Sequence, residues 1–224
     1  MVVPDTVEPL TKQAPAAAEP GTRMSELDGV RAVAVYLVVA FHAGVAGFDG
    51  GFIGVDVFFV LSGFLITHLL LIERSRHGRI DLLGFYGRRV RRLLPASVIA
   101  IAGTTVAFAA FASPLERASV LRDARSAAFY VANWNFIDKS EDYFADSLDS
   151  SPFLHLWSLA VEEQFYLVWP LVMIVVGAWW SRSQRARRGV AVGLTAAVVI
   201  GAAASMMVAD ASPLRAYYGT DTRS

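Results

Sequence analysis

Five apolar runs, each close to the length needed to cross a hydrocarbon slab, decide which folds are open to this chain. They cover about Val30 to Val45, Phe52 to Ile72, Leu93 to Ala112, Leu154 to Trp180 and Val190 to Ala209. Inside a bilayer every backbone N–H and C=O must be satisfied within its own segment, so such runs become helices. The expected fold is all-α, a polytopic membrane helix bundle with about five transmembrane helices. Composition agrees, because the 224 residues are 55% hydrophobic and only 18% charged, with a mean hydropathy of +0.46. Gly, Ser and Thr recur in the third and fifth runs, as close helix–helix approach in lipid requires.

The charges carry the next layer of information. Net charge is zero, which gives no electrostatic case for a nucleic-acid partner. There is no cysteine, which excludes disulfides, thiol nucleophiles, thiolate metal sites and iron–sulfur clusters. The four histidines are scattered and none stands in an H-E-x-x-H pattern, so no metal site is expected. Residues 1–24 are rich in Pro, Ala, Thr and Glu and lack hydrophobic periodicity, so they read as a disordered tail rather than a signal peptide. Seven arginines lie between Arg74 and Arg92, and Arg182, Arg185, Arg187 and Arg188 fall in the connection two spans later. Both connections are therefore assigned to the cytoplasm, the tail with them, and the protein to the plasma or inner membrane as a multi-pass chain. The connection from Ser113 to Pro152 carries Glu116, Asp123, Asp138, Glu141, Asp142, Asp146 and Asp149 and is assigned outside. Within it, Val120, Ala124, Ala127 and Ala128 followed by Phe129, Tyr130, Val131 and Trp134 predict one helix over Arg117 to Trp134, in or dipping into the outer interface.

Ionisable residues inside the apolar runs are the candidate site. Arg31 and His42 fall within roughly 20° of one helix face and roughly 16 Å apart along its axis. With Trp157, Trp179 and Trp180 taken as interface anchors, Glu162 lies roughly 7 Å below the outer surface, and His42 and Asp56 reach a similar depth. The three are expected to converge in one layer, where a carboxylate facing an imidazole makes a general base, or else to pair merely to hold the bundle. Glu163 points roughly 100° away from Glu162 and reads as an interhelical partner. At the inner boundary Arg89 and Arg92, three apart, form a fork suited to phosphate, or else contact lipid headgroups, with Arg31 at the same depth. Ser62 lacks the G-x-S-x-G context, Val60 replacing the first Gly, so Ser62-Gly63 reads as a packing or kink element.

Four motifs resemble the bacterial membrane acyltransferase-3 family: Leu27-Asp-Gly-Val-Arg31 running into His42, Gly50 to Phe64, Phe85-Tyr-Gly-Arg-Arg-Val-Arg-Arg-Leu-Leu-Pro95, and His155 to Tyr166. Their order and spacing match from Leu27 onward, nearest to the O-acetyltransferases of lipopolysaccharide O-antigen and peptidoglycan. The resemblance implies an enzyme of about ten transmembrane helices that moves an acyl group, usually acetyl, from cytoplasmic acyl-CoA to a hydroxyl of an envelope polysaccharide or lipid-linked glycan. No permanently bound cofactor is implied, acetyl-CoA being the donor substrate. Carried onto this chain it makes His42 the base or acyl acceptor, Glu162 its orienting group, and Arg31, Arg89 and Arg92 the phosphate ligands. Asp56, Tyr166, Asp221 and Arg223 are further candidates, the last two in Tyr217 to Ser224, which resembles the lead into a sixth helix. Residues 25–224 would then be the N-terminal half of the domain, C-terminally truncated. A transporter or flippase half, and an inactive remnant, are the alternatives.

Overall fold

The computed structural model describes residues 25–141 and 151–223. The tail expected over residues 1–24, and Asp142, Asp146 and Asp149, lie outside them. Helices α1 (Ser25–His42), α2 (Ile53–His77), α3 (Leu82–Phe111), α4 (Pro114–Ala128), α5 (Ala132–Glu141), α6 (Leu156–Trp180) and α7 (Gln184–Ala211) are followed by short α8 (Pro213–Tyr218) and α9 (Thr220–Arg223). Among the described residues there is no strand, and the chain is an all-α, multi-pass membrane bundle. Four helices, α2, α3, α6 and α7, are long and apolar enough to cross a membrane, one fewer than the apolar runs suggested. The difference is α1, whose 18 residues take in Glu26, Asp28 and Arg31.

Local chemistry sets the boundaries. Gly78 ends α2 with φ 70°, its N–H returning to the Arg74 carbonyl, and Asp81 starts α3 by accepting the Gly84 N–H at 3.1 Å. The arginine-rich stretch is consequently not one loop: Arg74 and Arg76 close α2, while Arg88, Arg89, Arg91 and Arg92 ride on the first turns of α3. A capping box opens α4, Ser113 accepting the Glu116 N–H at 3.4 Å while the Glu116 carboxylate accepts the Ser113 N–H at 2.7 Å. The Ser113 side chain, and then its backbone N–H, hold the Glu116 carboxyl below the usual carboxylate range.

Three registers position everything else. Gly51 and Gly54 let α2 meet α1 backbone to backbone, for a Cβ on Gly54 would stand 2.5 Å from the Ala34 carbonyl oxygen and one on Gly51 2.2 Å from that of Leu37. Helices α2 and α6 run parallel, joined by Ser62 to Glu162 (2.6 Å), Trp169 to Thr67 (2.8 Å) and Arg74 to the Gly177 carbonyl (2.6 Å). Against α6, α3 runs antiparallel, the Tyr86 hydroxyl donating to the Leu167 carbonyl at 2.7 Å.

The single helix expected over Arg117 to Trp134 is instead a helical hairpin. It breaks at Phe129-Tyr130-Val131, where Tyr130 adopts φ 54°. Helix α4 folds back along α3, from Phe108 beside Val120 to Tyr130 beside Ser97 (3.3 Å), and α5 returns along α4. Val120, Ala124 and Ala127 are buried as the spacing predicts, whereas Ala128 is exposed. These residues form one core with Phe136, Phe153, Val161 and Trp157. Trp157 is therefore not an interface anchor; Tyr217 and Tyr218 of α8 and Phe59 of α2 pack on its ring, and it is 6% exposed. A second core of Ile66, Leu70, Phe85 and Tyr166 joins α2, α3 and α6.

Candidate functional site

Glu162 is the centre of a polar cluster that three helices assemble. Its Oε1 accepts the Ser62 hydroxyl at 2.6 Å and also the Tyr166 hydroxyl one turn along α6. Tyr166 is buried, and the Arg89 guanidinium lies over its ring 3.4 Å from the centroid and 5.9 Å from the centroid of the Phe85 ring. The same Arg89 pairs with Glu163 at 3.6 Å, so Glu163 is the interhelical partner that its angular offset implied. The chain of contacts Glu163–Arg89–Tyr166–Glu162–Ser62 sets a cation on one side of a phenol and a carboxylate on the other, with a second hydroxyl on that carboxylate. Two hydroxyls on one carboxylate can each surrender a proton to it, which is how an oxygen nucleophile is prepared. Buried Arg89 Nε and Glu163 Oε1 have no hydrogen-bond partner among the described residues, so donor and acceptor capacity is left over here.

Three cavities surround this cluster. A cleft of about 560 Å³ carries Arg76, His77, Arg88, Arg89 and Arg92 above an apolar floor that includes Leu70 and Phe85. One of about 440 Å³ is bounded by Arg89, Leu93 and Leu94 of α3, Glu163 and Leu167 of α6, and the hairpin tip at Phe129. A smaller one of about 210 Å³ lies against Ser62, Glu162 and Phe165. Arg89 borders the first two. The expected fork is thus split: Arg92 stays exposed in the basic cleft, while Arg89 turns inward to Tyr166 and Glu163.

The other predicted residues stand apart from this cluster. His42 is exposed and its Nδ1 is 2.8 Å from the Val38 carbonyl oxygen within α1. The glycine contacts fix why: counting outward from Ala34 against Gly54 places His42 beyond the start of α2, whereas Glu162 is level with Ser62 well inside it. By helical rise the two are on the order of 20 Å apart along the bundle, so His42 and Glu162 do not share a layer. Asp56 is half-buried in the first turn of α2, between those levels. Arg31 pairs with Asp28 at 3.5 Å and comes level with Val57, about 8 Å along α2 from the Ser62–Glu162 level at which Arg89 meets Glu163. The side chains of Asp221 and Arg223 lie outside the described residues.

Sequence reasoning passed over several residues that the fold brings in. Ser62 is a ligand of Glu162 rather than only a packing element. His155, at the start of α6, is the imidazole near His42; it is exposed, and partial desolvation of its ring, and then His42, hold it below the usual histidine range. Gln164 uses its whole amide: Oε1 accepts from Trp134 (3.1 Å) and Thr220 (2.6 Å), and Nε2 donates to Tyr130 O (2.7 Å) and Asn133 Oδ1 (2.9 Å). It ties the hairpin and α9 to α6 directly beside Glu163. The one available signal was a Gln adjacent to two carboxylates in an apolar run.

Comparison with known proteins follows the same outline. Residues 24–210 match the model of a family described as an acyltransferase domain. The chain is 45% identical over 201 residues to YrhL of Bacillus subtilis (strain 168), and 42% identical over 199 residues to the peptidoglycan O-acetyltransferase OatA of Listeria monocytogenes. Both alignments cover 88% of this chain and 31% of the relative. The O-acetyltransferase OatA of Staphylococcus aureus is 47% identical over 147 residues, 66% of this chain and 24% of that protein. The chain thus spans about a third of the length of the first two curated relatives. No solved structure matches it.

Proposed function

The chain belongs to the acyltransferase domain family, and on that premise we propose that it serves in membrane O-acylation of a cell-wall glycan, with cytoplasmic acyl-CoA, acetyl-CoA by preference, as donor. The observation that carries this reading is Arg89, which borders the arginine-lined cleft and stacks on the phenol bonded to Glu162. A polyanionic donor suits the cleft: Arg89 and Arg92, with Arg76 and Arg88 beside them, are the phosphate ligands, and planar guanidinium forks match phosphate oxygens. Basic connections on the cytoplasmic side, the N-terminus with them, and the α4–α5 hairpin outside follow from the positive-inside rule. The plasma membrane is the compartment.

The transfer itself needs an acceptor oxygen to attack the thioester carbonyl, the C–S bond to break, and one proton to pass from the hydroxyl to the departing sulfur. Glu162 takes that proton at Oε1, the atom to which Ser62 and Tyr166 donate, and the Arg89 charge steadies negative charge developing on Tyr166 or the thioester oxygen. His42, on the order of 20 Å from Glu162 by helical rise, takes no part in that proton transfer, and Asp56 lies between the two. The family relationship supports the reaction class; named relatives that O-acetylate peptidoglycan support the glycan acceptor.

The test is donor binding by the full chain in detergent micelles. Acetyl-CoA raises the unfolding temperature of the parent, and Arg89→Gln with Arg92→Gln removes the effect, a hundredfold excess over Kd corresponding to about 2.7 kcal/mol. Equal stabilisation of parent and double variant, or none in either, overturns the assignment of the cleft.

A further inference from the structure

The charge on α6 and α7 is one-sided. From Gln164 to Ala209 there is no Asp or Glu, and the cations, Arg182, Arg185, Arg187 and Arg188, all fall at the turn between the two helices. Among the described residues none of them has an ion-pair partner: Arg182 lies over the Trp179 ring at 5.1 Å, and Arg187 donates to the Trp180 carbonyl at 3.1 Å. The same stretch opens α7, whose Ser183 cap accepts the Ala186 N–H at 3.1 Å and whose first turn holds no acid. Cations at the positive end of a helix dipole are unfavourable unless an anion stands beside them.

A groove lies beside this charge. Helices α6 and α7 enclose about 630 Å³, with Val175, Val176, Val190 and Leu194 on the apolar walls and Trp179, Ser183 and Arg185 at the end nearest the turn. Gly189 and Gly193 have the spacing for close helix contact, yet they line the groove with nothing within 4 Å of where a Cβ would stand. Helix α6 does not close on them, and no residue of α7 is buried. Both helices are long and apolar enough to cross a membrane, so the walls of the groove face hydrocarbon. At the same end of α6, Arg74 of α2 donates to the Gly177 carbonyl at 2.6 Å, so a third helix brings arginine to this boundary.

We propose that the α6–α7 groove binds one anionic glycerophospholipid, with its phosphate on Arg182 and Arg185, its glycerol esters at Ser183 and its acyl chains along the valine walls. Guanidinium forks match phosphate oxygens, and a basic pocket between two spans at the membrane boundary is where an anionic headgroup is held. A zwitterionic lipid would bring its own cation to a place with four arginines and no carboxylate to receive it. Acyl-CoA shares the phosphates but not the rest, because its pantetheine amides would lie unpaired against valines. The donor cleft also has no lining residue in common with the groove. Gly177, where α2 meets α6, is roughly 180° round α6 from the Val175–Trp179 line, so the groove lies on the side of α6 away from α2. A helix packed on Gly189-Val-Ala-Val-Gly193 would cover the glycines and leave the arginines unmatched.

The test uses the full chain, delipidated in a neutral detergent, with dioleoyl phosphatidylglycerol and dioleoyl phosphatidylcholine as probes. Native mass spectrometry and the unfolding temperature are the readouts. Phosphatidylglycerol is retained at one per chain and raises the unfolding temperature, and phosphatidylcholine does neither. Arg182→Gln with Arg185→Gln weakens phosphatidylglycerol binding about tenfold. Arg122→Gln with Arg125→Gln, the same change of charge at exposed positions of α4, leaves it unchanged. Gly189→Leu with Gly193→Leu keeps every charge, has open space for its side chains and removes retention by displacing the acyl chains. Equal retention of the two lipids, an equal loss in the α4 pair, or retention unaffected by the leucines overturns the site. So does a dimer that the leucines dissociate with no lipid retained, which gives the groove to a second copy. Release of phosphatidylglycerol by acetyl-CoA overturns it as well, by giving the arginines to the donor.

Discussion

Asp123 offers the sharpest quantitative test of the hairpin. It is 1% exposed and fully engaged: Lys139 Nζ stands 2.7 Å from Oδ1 and 2.8 Å from Oδ2, Asn135 donates to Oδ1 at 2.9 Å and Ser151 to Oδ2 at 2.7 Å. Among the described residues Lys139 has one further partner, the Ser119 hydroxyl at 3.0 Å. Changing Asp123 to Asn keeps the volume but leaves the ammonium uncompensated and turns an amide N–H₂ toward donors. Breaking one side of a buried pair costs about 3–5 kcal/mol. At about 2–4 °C per kcal/mol for a chain of this size, Asp123→Asn lowers the unfolding temperature by about 6–20 °C. Adding Lys139→Met removes the orphaned charge and recovers part of the loss, the new amide at position 123 still facing the Asn135 donor. Tryptophan fluorescence during heating in micelles reads both variants. An Asp123→Asn transition within about 2 °C of the parent, or a double variant as unstable as the single, refutes the reasoning.

Other contacts give shorter tests. Gly54→Ala drives a methyl to 2.5 Å from the Ala34 carbonyl oxygen, so α1 must leave α2; a loss of about 1–3 kcal/mol or more is expected in the same melts, and an unchanged value would mean that the helices are not in backbone contact. Gly177→Ala displaces the Arg74 guanidinium from the Gly177 carbonyl, costing about 1.5–3 kcal/mol for a charged hydrogen bond, and Arg74→Met added to it should cost little more. His155 titrates lower folded than unfolded, so the unfolded chain binds the extra proton: stability falls as pH drops through the ordinary histidine value and levels off below the depressed one. His155→Gln flattens that slope in melts between about pH 5 and pH 7, and an unchanged slope would place the imidazole in open water.

How far the site was legible depended on the distance over which each feature is set. The Arg89–Glu163 pair was half visible, since helical spacing turned Glu163 away from Glu162 and only an interhelical partner remained. Ser62 was read as packing because no nucleophile motif surrounds it; its bond to Glu162 exists only because α2 and α6 run parallel a hundred residues apart. Tyr130 carries no turn residue beside it, so the break between α4 and α5 had no local signal, and the apolar spacing ran straight through it.

The depth estimates failed for a related reason. Each helix was measured from its own interface, which assumes that all helices enter the bilayer at one level. Gly51 and Gly54 slide α1 instead against the first third of α2, carrying His42 past the Glu162 layer. The sequence by itself determined helical class, membrane residence and the residue types available, because burying backbone in lipid leaves few alternatives and apolar length is a local property. Only the tertiary structure decided which charges meet, since register comes from backbone approach at two glycines and from hydrogen bonds between distant helices, and neither is written into the period of any one segment.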